Sequence, residues 1–219
     1  MIELLFFTAV AGLVWYRLHR LPSALQSGAH SRDHSPKLTQ LIQYADRMYT
    51  EKKWVAAEKT YLDILKFDHR NVTAYSHLGV IYSTQKQYAD AIECFQIAAQ
   101  IKPSAVTFQN LGLVFYENRN YIKSIAMLEK SIMFEPSAHR YMGISKAARK
   151  LADSGRVISA LNKAAKLEES LKILQLLHDA YIDAGNSDEA AEIRAKLQAL
   201  TQPGVKSTKT GHTILALKD

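Results

Sequence analysis

The chain has 219 residues, 47% of them hydrophobic, enough for one elongated array of helical hairpins. Its net charge of +7, from 28 basic against 21 acidic residues, comes without a long basic run, and its aromatic residues do not interleave with a basic stripe; both features argue against nucleic acid as the partner. A single cysteine, Cys94, excludes an intramolecular disulfide and fits a reducing compartment.

From Ile2 to Tyr16 the only charge is Glu3, and the run closes on Trp15, Tyr16, Arg17, His19 and Arg20, an aromatic belt followed by basic groups. As a helix this run reaches ~22 Å against a hydrocarbon core of ~30 Å, and extension through Leu18 and Leu21 with snorkelling arginines narrows the gap. A cleaved signal peptide wants a basic start and a small-residue site after the apolar run, whereas here the basic residues come last. Residues 1–20 are therefore expected to be an uncleaved transmembrane helix, with Trp15, Tyr16, Arg17 and Arg20 at the membrane interface. Arg17, Arg20, Arg32 and Lys37 all follow the apolar run, which predicts a single-pass protein with its N-terminus outside and the rest in the cytoplasm.

Residues 21–37, with Pro22, Ser23, Ser27, Gly28, Ser31, Ser35 and Pro36, have neither helical nor strand periodicity and read as a linker. His30 and His34 within it read as solvated side chains, since a metal site needs further ligands.

A pattern of a little over thirty residues then begins. Its fullest copy runs Tyr75, Leu78, Gly79, Tyr82, Tyr88, Ala91, Phe95, Ala98 and Pro103. Gly79 and Ala91 are small where two helices of one hairpin cross, the larger residues fill either side, and Pro103 stops the second helix. One unit earlier, Ala45, Met48, Trp54, Ala57, Tyr61 and Ile64 stand in the corresponding places, with His69 where the proline would be. One unit later come Phe108, Leu111, Gly112, Phe115, Tyr121, Leu128 and Pro136, with Ser124 and Ser131 at small positions.

A fourth, degenerate hairpin is expected from Met142, Gly143, Ala147 and Leu151, a break at Asp153-Ser154-Gly155, then Val157, Ala160, Ala164 and Leu167. A fifth has Leu174, Leu177, Tyr181, the turn Ala184-Gly185-Asn186, and a second helix whose Asp188, Glu189, Glu192, Arg194 and Lys196 give it the wet face of a terminal cap. The five hairpins are placed at residues 38–71, 72–104, 105–138, about 139–169 and about 170–200, with residues 201–219 as a tail.

These residues resemble the tetratricopeptide repeat family, whose unit is ~34 residues with a W-x2-L-G-x2-Y, A-x3-F and P skeleton. The resemblance implies an all-α fold, a right-handed superhelical solenoid of antiparallel helix hairpins, here preceded by the transmembrane helix. The N-terminal segment followed by repeats is also similar in layout to the lipopolysaccharide assembly protein B family, whose members control the amount of a lipid-A pathway enzyme. The metal domain of that family needs paired cysteines and is not carried over, because Cys94 stands alone.

In tetratricopeptide arrays the first helix of each hairpin lines a concave groove, which implies a protein or peptide ligand there. The resemblance puts Asp46 and Tyr49, then Ser76, His77 and Ser83, then Gln109, Asn110 and Tyr116, then Arg140 or Arg149 at the exposed positions of those helices. The surface is polar and aromatic, as peptide binding requires and as any solvated helix face also is. A carboxylate clamp for chaperone tails is not expected, because Asp46, His77 and Val80 stand at or near its places and its lysines are missing.

No catalytic residue, cofactor or metal is expected. The sequence has no H-E-x-x-H, no paired cysteine spacing and no phosphate-cradling glycine loop. Cys94 reads as a small half-buried side chain, and His178 and Asp179, adjacent on a helix, are expected to point apart. The function expected is a membrane-anchored adaptor. Three alternatives stand beside it: the same scaffold facing outward, where Asn71-Val72-Thr73 would matter as a glycosylation acceptor; a regulator or assembly factor for a membrane enzyme; and nucleic-acid binding, which would require affinity that collapses with salt.

Overall fold

The computed structural model describes residues 36–201, and all secondary structure among them is helical. The chain divides into two compact units, Met1–Thr39 and Gln40–Asp219; of the first, only residues 36–39 are described. The apolar run and its boundary residues Trp15, Tyr16, Arg17 and Arg20 lie outside the described residues, as does the tail from residue 202. Among the described residues no helix is long and apolar enough to cross a membrane.

Ten helices follow one another: α1 (Pro36–Thr50), α2 (Trp54–Phe67), α3 (Val72–Thr84), α4 (Tyr88–Ile101), α5 (Ala105–Glu117), α6 (Tyr121–Phe134), α7 (Ala138–Lys150), α8 (Ser154–Leu167), α9 (Leu171–Asp183) and α10 (Ser187–Thr201). The first starts inside the segment read as linker. Pro36 opens it, because the missing amide hydrogen of proline is no loss in a first turn. From α2 onward each helix packs on the next in sequence, and α3 with α5 and α5 with α7 touch directly, so the first helices of successive hairpins lie side by side.

Short polar residues start these helices by accepting orphan amides. Asn71 accepts from Ala74 N, Ser104 from Thr107 N, Asn120 from Lys123 N and Asp153 from Arg156 N, at 2.9–3.1 Å. The cap at Asp153 corrects the expected break: α8 begins at Ser154, and Gly155 lies within its first turn.

One device closes every hairpin. The amides of Lys53, Gln87, Asn120, Asp153 and Asn186 donate to the carbonyls of Met48, Tyr82, Phe115, Ala148 and Tyr181, five residues earlier, at 2.8–3.1 Å. Just before each donor stands a residue with positive φ: Lys52 at 57°, Lys86 at 62°, Arg119 at 59°, Ala152 at 55° and Gly185 at 77°. This is the Schellman arrangement, in which a left-handed residue turns the chain out of the helix while its last carbonyls stay bonded.

Val72, Ala105, Ala138 and Leu171 open α3, α5, α7 and α9 at a constant interval of 33 residues. That interval aligns Gly79, Gly112, Ser145 and His178 at the place where the paired helices cross, and the buried Ala45 stands 34 residues before Gly79. The first two are glycines by necessity. A Cβ on Gly79 would lie 2.8 Å from Phe95 Cζ, and one on Gly112 would lie 2.7 Å from Leu128 Cγ. Phe95 and Leu128 are almost fully buried there, each worth roughly 1.5–3 kcal/mol relative to exposure. In the fourth hairpin Ser145, two residues after Gly143, holds the crossing position, and Val157, Ala160 and Ala164 are buried in the second helix.

Ser124 and Ser131 were expected only to be small, but their hydroxyls also bond. Ser124 Oγ donates to the Gly112 carbonyl at 2.7 Å and Ser131 Oγ to the Ala105 carbonyl at 2.6 Å, both out of water, tying α6 to α5. In α10 only Ala190 and Ile193 are buried, as the polar composition of that helix requires.

Candidate peptide-binding face

The expected groove residues fall into two packed groups, and Ser76 and Asn110 are half-buried. In the first group, Tyr61 on α2 donates its hydroxyl hydrogen to Asp46 Oδ1 at 2.9 Å. A phenol has one hydrogen, so His77 Nδ1, 2.6 Å from the same oxygen, must carry its own and donate it. The His77 ring stacks on Tyr49 at 4.2 Å between centroids, and Tyr49 meets Trp54 edge-on at 5.7 Å. Burial lowers the His77 pKa below its ordinary value, although Asp46 nearby opposes that shift. Burial, and then the Asp46 hydrogen bond, raise that of Tyr61. The group is a hydrogen-bonded aromatic platform built around the Asp46 carboxylate, with Tyr49 and His77 half-exposed.

Sequence reasoning placed Tyr61 only in the repeat core. The feature that could have found its second role is the polar hydroxyl: the equivalent residues Phe95 and Leu128 have none.

The second group lies on α5 and α7. Tyr116 meets Tyr121 edge-on at 5.4 Å, and Lys146 Nζ sits 5.3 Å from the Tyr116 ring centroid. Arg140 differs from expectation. It is buried, at 7% relative exposure, where an exposed groove residue was predicted. Its Nε donates to Gln109 Oε1 at 2.9 Å, one terminal nitrogen donates to the Glu135 carbonyl, and the other reaches Glu135 Oε2 at 3.0 Å. Arg140 lies two residues into α7, at the inter-hairpin joint, where a long cation satisfies the loop and fixes Gln109.

Beside Arg140, helices α5, α7 and α9 enclose a cavity of about 350 Å³. Leu128 forms its floor, Leu113, Met142 and Leu176 its walls, and Lys146, Arg149 and Lys172 stand at its mouth. Gln109, Arg140 and Arg149, all sequence candidates, also line it. The 33-residue register aligns Gly143 with His77, Asn110 and Leu176.

His178 and Asp179 do not point apart as expected. The imidazole Nδ1 lies 3.3 Å from Asp179 Oδ1. Its Nε2 is buried without a hydrogen-bond partner among the described residues. The pKa of Cys94 on α4 is pushed up to about 12, by burial first and then by Glu93 and Asp90. Among the described residues no group of three or more His, Cys, Asp or Glu side chains is placed to hold a metal ion.

Residues 72–104 match the tetratricopeptide repeat family model. No curated protein matches the chain by sequence. A crystal structure of MamA protein is 21% identical with a TM-score of 0.68, covering 77% of this chain and 97% of that one. MamA from Desulfovibrio magneticus RS-1, residues 41 to the end, is 18% identical with a TM-score of 0.66, covering 75% and 94%. A further MamA crystal structure is 23% identical with a TM-score of 0.65, covering 71% and 92%. At these identities the likeness establishes the fold. With the family match, it supports tetratricopeptide repeats as the building unit.

Proposed function

We propose that the chain is a non-catalytic scaffold that holds a segment of a partner protein across the first helices of its hairpins, at the cytoplasmic surface of a membrane. The observation that carries this reading is the direct contact of α3 with α5 and of α5 with α7, which brings the faces bearing His77, Asn110, Tyr116 and Lys146 into one surface. Stacked repeats expose such surfaces along their length, and extended or helical peptides bind them through alternating side chains. The membrane part of the proposal rests on the sequence alone: the apolar run Ile2 to Tyr16 and the cations after it.

The test is capture of partners by the tagged full-length chain from detergent-solubilised membranes, beside a variant carrying Tyr49→Ala, His77→Ala, Asn110→Ala and Tyr116→Ala whose fold is checked by circular dichroism. A partner lost by the variant supports the reading; retention of every partner rejects it. Orientation is read separately, by protease treatment of intact cells, which digests the repeats only if they face outward. A second reading, regulation or assembly of a membrane enzyme, draws on the layout of apolar segment and repeats. It requires deletion to change the abundance of a particular membrane enzyme.

A further inference from the structure

We infer that the cavity between α5, α7 and α9 is the anchor pocket for an acidic peptide segment carrying one bulky aliphatic side chain. This deepens the proposed function and rests on it. The cavity exists because of one residue. At the position where α3, α5 and α9 carry His77, Asn110 and Leu176, α7 carries Gly143, and a Cβ there would already lie 3.1 Å from Leu128 Cδ1. With no side chain at Gly143, space stays open above the buried Leu128, and Leu113, Met142 and Leu176 line it with apolar surface. Leucine or methionine fits such a space, and burying it is worth roughly 1.5–3 kcal/mol, on the order of tenfold or more in affinity.

The sign of the ligand follows from the mouth. No carboxylate lines the cavity. Of its cations, Arg140 is neutralised by Glu135, whereas Lys146, Arg149 and Lys172 stand in no ion pair among the described residues. Three uncompensated cations around an apolar hole recruit carboxylates on either side of the anchor and repel basic segments. The chain's own residues 202–219, with Lys206, Lys209 and Lys218 against Asp219, have the wrong charge.

The test uses the full-length chain in detergent and a short fluorescein-labelled peptide of aspartates and glutamates around one central leucine, followed by anisotropy. Binding is expected to weaken about tenfold or more when serine replaces the peptide leucine, and to vanish when lysines replace its acids. The triple variant Lys146→Glu, Arg149→Glu and Lys172→Glu, changed only at exposed positions, is expected to lose about tenfold or more. Gly143→Leu, with its melting temperature measured, is expected to abolish the leucine dependence.

Equal binding of the leucine and serine peptides overturns the inference without relying on any variant. So does competition by phosphatidylglycerol vesicles or a single-stranded oligonucleotide as strong as that by unlabelled peptide. Concentration-dependent self-association abolished by Gly143→Leu overturns it too, in favour of a second copy as occupant. If the quadruple alanine variant loses a captured partner that the folded Gly143→Leu variant keeps, the pocket inference fails while the scaffold reading stands. If the acidic peptide binds but the quadruple variant keeps every partner, the scaffold reading fails and the pocket stands.

Discussion

The Tyr61 hydroxyl lies 2.6 Å from His77 Nδ1, so a side chain of the first hairpin accepts a hydrogen bond from a side chain of the second. The same oxygen donates to Asp46, and one phenol therefore joins α1, α2 and α3. Tyr61→Phe keeps the ring and strips both partners of their shared oxygen. We expect a loss of about 1–3 kcal/mol, with the folded structure kept, measured by urea unfolding followed by circular dichroism.

His77 should make stability fall in mild acid. Its folded pKa is below its unfolded value, so the unfolded chain binds more protons, and the contribution of His77 is complete above the unfolded pKa of about 6.5 and is lost as pH falls through that value toward the folded one. Melting temperatures of the wild-type chain and of His77→Gln at pH 7.5 and pH 5.5 isolate this term, with the wild type expected to lose more between the two. An identical drop in both proteins would remove His77 as its source.

Gly79→Ala and Gly155→Ala should differ in sign. At Gly79 the new methyl meets the Phe95 ring at 2.8 Å, and such overpacking costs about 1–3 kcal/mol. At Gly155 the nearest atom is 3.8 Å away, so alanine is accommodated and its better helix propensity leaves stability unchanged or raised by up to ~1 kcal/mol. Chemical denaturation of the two variants side by side decides this.

Cys94 should be a poor nucleophile. With its thiol pushed up to about 12, almost no thiolate exists at pH 8. Alkylation by iodoacetamide is expected to run at least about tenfold slower in the native chain than in urea. Equal rates would mean that α4 opens readily around it.

The hairpin turn at Ala184-Gly185-Asn186, the close crossings at Gly79 and Gly112 and the wet face of α10 were legible because local composition dictates them. The register of the fourth hairpin was harder to read, because a glycine, Gly143, stands two residues before the crossing position, while Ser145, which occupies it, lacks the glycine signal. Arg140 was misplaced for a different reason. A long cation on a first helix reads as solvated, and only the fold brings Gln109, 31 residues away, into its reach. The same limit hid the Tyr61 bridge, since hydrogen bonds between hairpins leave no periodic trace in a sequence.

Four of the five hairpins leave their first helix through a lysine, an arginine or an alanine held in the left-handed region, and only Gly185 is a residue that prefers it. Ala152 has no polar group to ease the conformation. At these turns the same route of the chain recurs without the residue best suited to it. A mutation at such a turn is thus answered locally, by the bond from the next amide to a helical carbonyl, and the side chains facing a ligand are free to diverge from one hairpin to the next without moving the backbone that displays them.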